Sequence, residues 1–258
     1  MHYFPEVDST MNIARDMART GCPHFTVVVA GRQVKGRGRL KRQWYSPEGG
    51  LYFTIVLRPG FTPIFSTRLI FCASLTLARL LNKEYSVPAQ VKWPNDILVK
   101  GKKISGILSE IAVEGDRVKF INIGIGINVN IEPAFRVPES ISLKEILKRD
   151  VSRKEFLAMF LDDFEYRIDH TDLSHIVSEW KQNSATLNRK IRIVTQNEVL
   201  EGMAKDVDEN GTLILGLADG SEKKIVHGDC FHSTETTIIQ KRGEWIEDID
   251  CRCRGGRI

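Results

Sequence analysis

The chain has 258 residues, 42% of them hydrophobic and 27% charged, with a formal net charge of +4. That length can bury a full core and suffices for one large domain plus a small one, and so mild a charge does not by itself call for nucleic acid. No run approaches the roughly 20 apolar residues of a membrane helix, and Met1-His2-Tyr3-Phe4-Pro5-Glu6 lacks the basic start and apolar stretch of a signal peptide, so a cytoplasmic protein with no membrane partner is expected.

Along the chain, Ser9 or Thr10 caps a helix running to about Arg19, with Ile13 and Met17 at helical spacing. A β-rich run, residues 25–30, leads into Gly36-Arg37-Gly38-Arg39-Leu40-Lys41-Arg42-Gln43-Trp44. This segment is too charged and too glycine-rich for a core. Its guanidinium forks and free backbone suit phosphate, with Trp44 as an apolar lid; a solvated basic turn or a nucleic-acid patch reads equally well from the segment alone. Residues 51–57 form another strand, ended by Pro59-Gly60, and Ser66 opens a long amphipathic helix to about Asn82.

Strands are expected at Val91, 97–99, 104–113 and 118–130, with turns at Lys100-Gly101-Lys102 and Glu114-Gly115-Asp116 making a hairpin series. Helical patterns follow at about 142–148, 153–169 and 172–183. Hairpin strands with helices gathered elsewhere predict an α+β domain around a mixed sheet. From about Arg189, short strands at 191–194, 199–207, 212–217 and near 224–226 predict a small β-barrel. The expected division is 1–186, 187–236 and a polar, arginine-rich tail at 237–258 that includes a short helix or strand at Trp245-Ile246. Five cysteines, an odd number, argue against a disulfide framework. Cys72 falls in a helical core pattern, and Cys251-Arg252-Cys253 lacks the further ligands that a four-ligand zinc site needs.

Three later segments join the basic loop in a fixed order: Lys92-Trp93-Pro94-Asn95-Asp96, then Lys103-Ile104-Ser105-Gly106-Ile107-Leu108-Ser109-Glu110, then Gly124-Ile125-Gly126-Ile127-Asn128. Together with Glu6-Val7-Asp8-Ser9-Thr10 upstream, this order resembles the biotin protein ligases, strongly over about residues 3–130 and more loosely to about 235. The resemblance implies the biotin–lipoate ligase fold, related to class II synthetases, and an SH3-like C-terminal barrel. It implies a two-step reaction: biotin and ATP give biotinyl-AMP, and a lysine of a biotin carboxyl carrier domain then takes the biotin. Magnesium would come with the phosphates, without a dedicated protein cage. Some family members carry an N-terminal helix-turn-helix repressor domain; with Ser9-Thr10 so close to the first residue, a ligase without a DNA partner is expected here. A homodimer remains open.

The resemblance also assigns roles. Lys103 bridges the biotin carboxylate and the α-phosphate; Arg39 and Asp96 complete the catalytic set. Biotin would meet Ser9, Thr10, Gln33, Gly36, Arg37, Arg39, Lys103 and Gly106. The nucleotide would meet Arg37, Arg39, Arg42, Trp44, Lys92, Asn95, Gly124, Gly126 and Asn128. Each assignment has a plainer counterpart. Lys103 stands among Lys100 and Lys102 as one more surface lysine, although a glycine three residues on inside a strand often marks close approach to a ligand. Gln33 equally suits a solvated strand end. Ser9 and Thr10 can cap a helix as well as hold a ureido ring. Pro94 fixes its own φ and extends Trp93, presenting Asp96 either to the carrier lysine's proton or to an Asx-type turn. Gly124 and Gly126 can serve strand packing alone, and Trp44 either the adenine or the core.

Two departures stand out. Lys41 replaces a third loop glycine, which would cost of order 1 kcal/mol if that residue needs φ > 0. Met11 stands where many members have asparagine, with Asn12 one place late. The competing readings are a lipoate–protein ligase, whose arginine-rich, glycine-triplet loop is missing, a non-catalytic biotin or adenylate sensor, and a nucleic-acid binder without a recognisable module.

Overall fold

A computed structural model describes residues 1–59, 66–170 and 172–232, and the backbone of two further strands, Ile238–Lys241 and Glu244–Glu247. The chain divides into two compact units, one of residues 1–185 with 207–211, the other of 186–206 with 212–258.

The first unit is built on a seven-stranded sheet. In chain order it comprises β1 (His2–Val7), α1 (Thr10–Arg19), β2 (Thr26–Gln33), β3 (Leu51–Leu57), α2 (Ser66–Tyr85), β4 (Ala89–Lys92), β5 (Asp96–Val99), β6 (Lys102–Glu114) and β7 (Arg117–Ile127). Helices α3 (Leu143–Leu147), α4 (Arg153–His170) and α5 (Ile176–Gln182) follow. The sheet order is β1-β2-β3-β7-β6-β5-β4. Only β1 and β2, joined through α1, run parallel; the remaining pairs are antiparallel. The mixed α+β sheet expected from the sequence is therefore present.

Strand alternation explains how both faces are covered. Thr54 on β3 meets Thr10 of α1, whereas its neighbour Phe53 packs edge-on against Phe160 of α4, ring centroids 5.4 Å apart. Every residue of β3 is buried, which accounts for the unbroken apolar run that marked it. Ala14 and Ala18 of α1 seat on Val28, Val56 and Phe120. Helix α1 packs mainly on β2, β3 and β7, toward one side of this face of the sheet, away from β5.

Several boundaries differ from expectation for local reasons. Helix α2 runs three residues further, to Tyr85. Strand β7 stops at Ile127, because the backbone of Asn128 turns to bond Ile104 and Leu143. The 172–183 helix opens as a 3-10 turn capped by Asp172 and becomes α5 only from Ile176. Cys72 is buried as expected, and burial pushes its thiol up to about 11.

The second unit holds β8 (Lys190–Val194), β9 (Val199–Val207), β10 (Leu213–Gly216), β11 (Glu222–Ile225) and β12 (Asp229–His232), in the order β11-β10-β9-β8-β12. Strand β12 carries no distinct sequence signal; it pairs with β8 across Cys230 and Ile193. Within the expected tail, β13 (Ile238–Lys241) and β14 (Glu244–Glu247) form a two-stranded antiparallel pair around Trp245-Ile246; Cys251 and Cys253 lie outside the described residues. No helix among the described residues is long and apolar enough to cross a membrane.

Candidate active site

The α1 face of the sheet carries the motif residues. Gly106 of β6 and Gly126 of β7 sit directly opposite one another, and Gly124 lies one step along on the same face, opposite Thr54. With no side chains there, the sheet has a trough. Trp44 lies in it: a Cβ on Gly126 would come within 2.4 Å of the Trp44 Nε1, and one on Gly106 within 2.9 Å of its ring. Met11 closes the next position, its Sδ 2.5 Å from where a Gly124 Cβ would be. Close approach thus explains all three glycines.

Lys103 reaches this trough through an irregularity. Strand alternation would send residues 103 and 106 to opposite faces. The register of β5 against β6 slips between Ile97 and Leu98, pairing Ile97 with Ser105 but Leu98 with Lys103. A bulge of this kind re-aims a side chain, and here it turns Lys103 onto the face of Gly106, whose missing Cβ would lie 3.2 Å from the Lys103 Cε. The Lys103 Nζ pairs with Asp96 Oδ1 at 2.6 Å and stands 5.2 Å from the Trp44 ring centroid.

Lys103 is also braced along its backbone. Its N–H donates to the Glu139 carbonyl, and its own carbonyl accepts from Ile141, each at 3.0 Å. The Asn128 amide donates to the Ile141 carbonyl at 3.2 Å, fixing that strap. Asn128 was expected to face the nucleotide; its N–H group instead serves the support of Lys103.

The Trp93–Pro94 peptide is cis, and Trp93 is buried, its indole donating to the Gly211 carbonyl within the same unit. Asn95 holds β6 by donating to the Ile107 carbonyl and accepting from the Ile107 N–H through its own carbonyl. That leaves its side-chain oxygen to meet Arg39, at 3.3 Å. Lys92 is buried directly across the β4–β5 hairpin from Asp96. The KWPND segment and the basic loop therefore meet at the trough.

A polar relay closes the other end. Thr54 donates to Thr10 Oγ1 at 2.9 Å, and the Thr10 N–H and hydroxyl both donate to Gln33 Oε1. Gln33 Nε2 donates to Ser46, which donates on to the Trp44 carbonyl. Ser9 occupies the N-cap of α1, yet its side chain makes no cap bond; its hydroxyl is buried without a partner. The capping role is thereby corrected: an unsatisfied buried hydroxyl beside Thr10 and Gln33 is suited to a polar ligand. The Trp44 indole N–H is unsatisfied as well.

The loop itself folds back on its root. Trp44 N–H donates to the Gly36 carbonyl at 2.9 Å, and Gly38 N–H to the Arg42 carbonyl at 2.8 Å. Leu40 and Lys41 both take left-handed φ, +51° and +62°, so Lys41 does sit where the loop wants a glycine. Arg42 is on the loop's exposed side. The Arg37 guanidinium bonds Asn12 and Glu110, not the trough-lining residues, which departs from its expected place over phosphates. Sequence reasoning assigned no role to Thr54, Ser46, Asn12 or Glu110. A threonine inside the apolar β3 run and a motif-borne glutamate were the available signals.

Residues 3–128 match the Biotin/lipoate A/B protein ligase family, and residues 186–233 match the Biotin protein ligase C terminal domain. The chain is 33% identical over 230 residues to the bifunctional ligase/repressor BirA of Bacillus subtilis, covering 86% of this chain and 70% of that protein. It is 32% identical over 200 residues to the biotin–[acetyl-CoA-carboxylase] ligase of Paracoccus denitrificans, covering 73% and 82% of the two. In structure it is similar to the Aquifex aeolicus biotin protein ligase in complex with biotin and ATP, with a TM-score of 0.74, 29% identity, and coverage of 90% of this chain and 98% of that one.

Proposed function

The chain belongs to the biotin protein ligase family, and from that premise we propose how its residues divide the work of ATP-dependent biotinylation. Biotin ligation by way of an adenylate requires a carboxylate to approach a phosphate, so fixed cations and N–H donors must lie where the two anions meet. The acceptor in the second step is proposed to be a lysine of a biotin carboxyl carrier domain.

The ureido end of biotin lies against the Ser9 hydroxyl and the Thr10–Gln33 relay, with Gly36 allowing the loop backbone close to it. The tail runs along the trough beside Gly106, and its carboxylate reaches Lys103. Trp44 moves from direct contact with the glycines to cover the ligand, and Gly124 and Gly126 leave room for it. Lys92, Asn95 and Arg39 would serve the phosphates, with Arg42 joining them only if the loop moves, since it lies on the exposed side. Magnesium is proposed to come with the phosphates.

One observation carries the chemistry: the cations hold oxygen partners within the chain, Lys103 with Asp96 at 2.6 Å and Arg39 with Asn95 at 3.3 Å. The biotin carboxylate and the α-phosphate replace Asp96 on Lys103. The carboxylate oxygen attacks phosphorus and pyrophosphate leaves. Asp96, released from Lys103, then accepts the proton of the carrier lysine as its amine attacks the acyl carbon and AMP departs. One exchange thus serves both steps.

Asp96→Asn tests this. Biotinyl-AMP formation without carrier should stay within about tenfold of the parent, whereas transfer should fall by about 10²–10⁴-fold, the usual weight of a general base. Single-turnover measurement of each step decides it; equal losses in both would remove Asp96 from the transfer role.

Lys41→Gly should act in the opposite sense. It relieves left-handed strain of order 1 kcal/mol, partly offset by the greater freedom of glycine in the open loop. Biotin affinity measured by titration calorimetry should improve about two- to fivefold. An unchanged or weaker affinity would uncouple loop closure from biotin binding.

A further inference from the structure

The basic loop is anchored at its root. Its first half is tied down by Arg37, whose NH1 donates to Asn12 Oδ1 at 3.2 Å while NH2 pairs with the Glu110 carboxylate. Asn12 lies on the first turn of α1, two residues past Thr10, and Glu110 lies on β6, the strand that carries Lys103 and Gly106. The pair is only partly exposed, 36% at Arg37 and 27% at Glu110, so solvent screening is reduced. Next to Arg37, Gly36 is closely walled: a Cβ there would meet the Trp44 carbonyl at 2.3 Å, Ser46 Oγ at 2.5 Å and Gln33 Nε2 at 3.1 Å. The loop's second half carries the left-handed Leu40 and Lys41 and reaches across the trough through the longer Arg39–Asn95 bond of 3.3 Å.

We propose that Glu110, together with Asn12, is a positioning clasp. Through Arg37 it fixes the first half of the loop against the Thr10–Gln33 relay before any ligand arrives, and it thereby sets the affinity for biotin. This deepens the ligase reading and rests on it. Ordering a loop costs conformational entropy at the moment of binding, and pre-ordering it removes that cost. The clasp lies at the relay end of the trough, so its benefit falls on biotin and not on the nucleotide. Arg37 thus contributes through its backbone position, with its charge spent on Glu110.

The test uses the full-length chain, ATP, biotin and a biotin-carrier domain. Glu110→Gln keeps the shape and removes the charge. It should raise the KM for biotin about tenfold, the loss of roughly one charge-assisted contact, with kcat and the KM for ATP within about twofold of the parent. Glu110→Asp should recover part of the loss. Asn12→Ala attacks the same guanidinium from the other side and should show the same split, so it carries the test if the Glu110 variants fail to fold. Combining Glu110→Gln with Arg37→Met should add nothing to Arg37→Met alone, because both break one link. A fall in kcat at unchanged biotin KM, a comparable rise in the KM for ATP, or additive effects in the double variant would each overturn the clasp. Pyrophosphate release by the parent enzyme is read in parallel. Its absence would fail the ligase reading itself, whatever the variants do.

Discussion

Lys103→Ala should slow biotinyl-AMP formation by about 10²–10³-fold, the scale seen when one preorganised charge-stabilising group is removed. The bulge in β6 puts the Lys103 Nζ on the trough face, and backbone bonds to Glu139 and Ile141 hold the strand behind it. A cation delivered by so fixed a strand needs little rearrangement as charge builds at phosphorus. The side chain is 35% exposed and supports no core packing, so the thermal melt should stay close to the parent's. Removing it also strips Asp96 of its counter-ion, so Lys103→Arg is a useful companion: it keeps the charge but replaces a compact ammonium by a planar fork. It should recover only part of the rate. Rapid-quench measurement of pyrophosphate release is the assay. A near-parental rate in Lys103→Ala with a normal melt would take Lys103 out of the mechanism.

Arg39→Gly should have the second largest effect, and of a different kind. Arg39 spans from the loop to Asn95 at 3.3 Å, at the end of the trough proposed for the phosphates. Losing a hydrogen bond to a charged group costs about 1.5–3 kcal/mol, and a third glycine beside Gly36 and Gly38 loosens the segment further. Biotin affinity should fall. The adenylate that still forms should escape before the carrier lysine reaches it, since a closed loop is what keeps a reactive anhydride from water. Free biotinyl-AMP acylates exposed amines, so bystander proteins mixed with the variant, ATP and biotin should become labelled in a biotin blot, which the parent does not cause. Persistent adenylation without bystander labelling would show that Arg39 is no part of the lid.

The contrast between these two residues shows what the sequence could and could not disclose. Strand and helix positions followed from apolar pattern and turn chemistry, which is why β3 falls on its unbroken apolar run and the 97–127 hairpins fall where Gly-containing turns put them. Gly106, inside a strand, signalled close approach; Gly124 and Gly126 were marked only by the family resemblance, with strand packing as the alternative, and all three line the trough. Alternation alone, however, would have put Lys103 behind the sheet. Only the slip between Ile97 and Leu98 brings it to the front, and a bulge leaves no periodic trace in a short strand. Lys41 was legible as a misfit only through the family resemblance, which has a glycine there, and its left-handed φ of +62° agrees. Arg37's bond to Glu110 spans 73 positions, beyond any local rule, and Asn128's turn toward Ile141 depends on a strap whose path the sequence does not state. Ser9 sits at a helix start as read, yet its hydroxyl is kept from the cap.

The most direct measurement incubates the full chain with ATP, magnesium and labelled biotin or labelled lipoate, with and without a biotin-carrier domain. The predicted result is pyrophosphate release and labelled adenylate with biotin alone, then transfer of label to a carrier lysine with release of AMP once the carrier is added. Preferential activation of lipoate, or biotin binding without pyrophosphate release, would contradict the account.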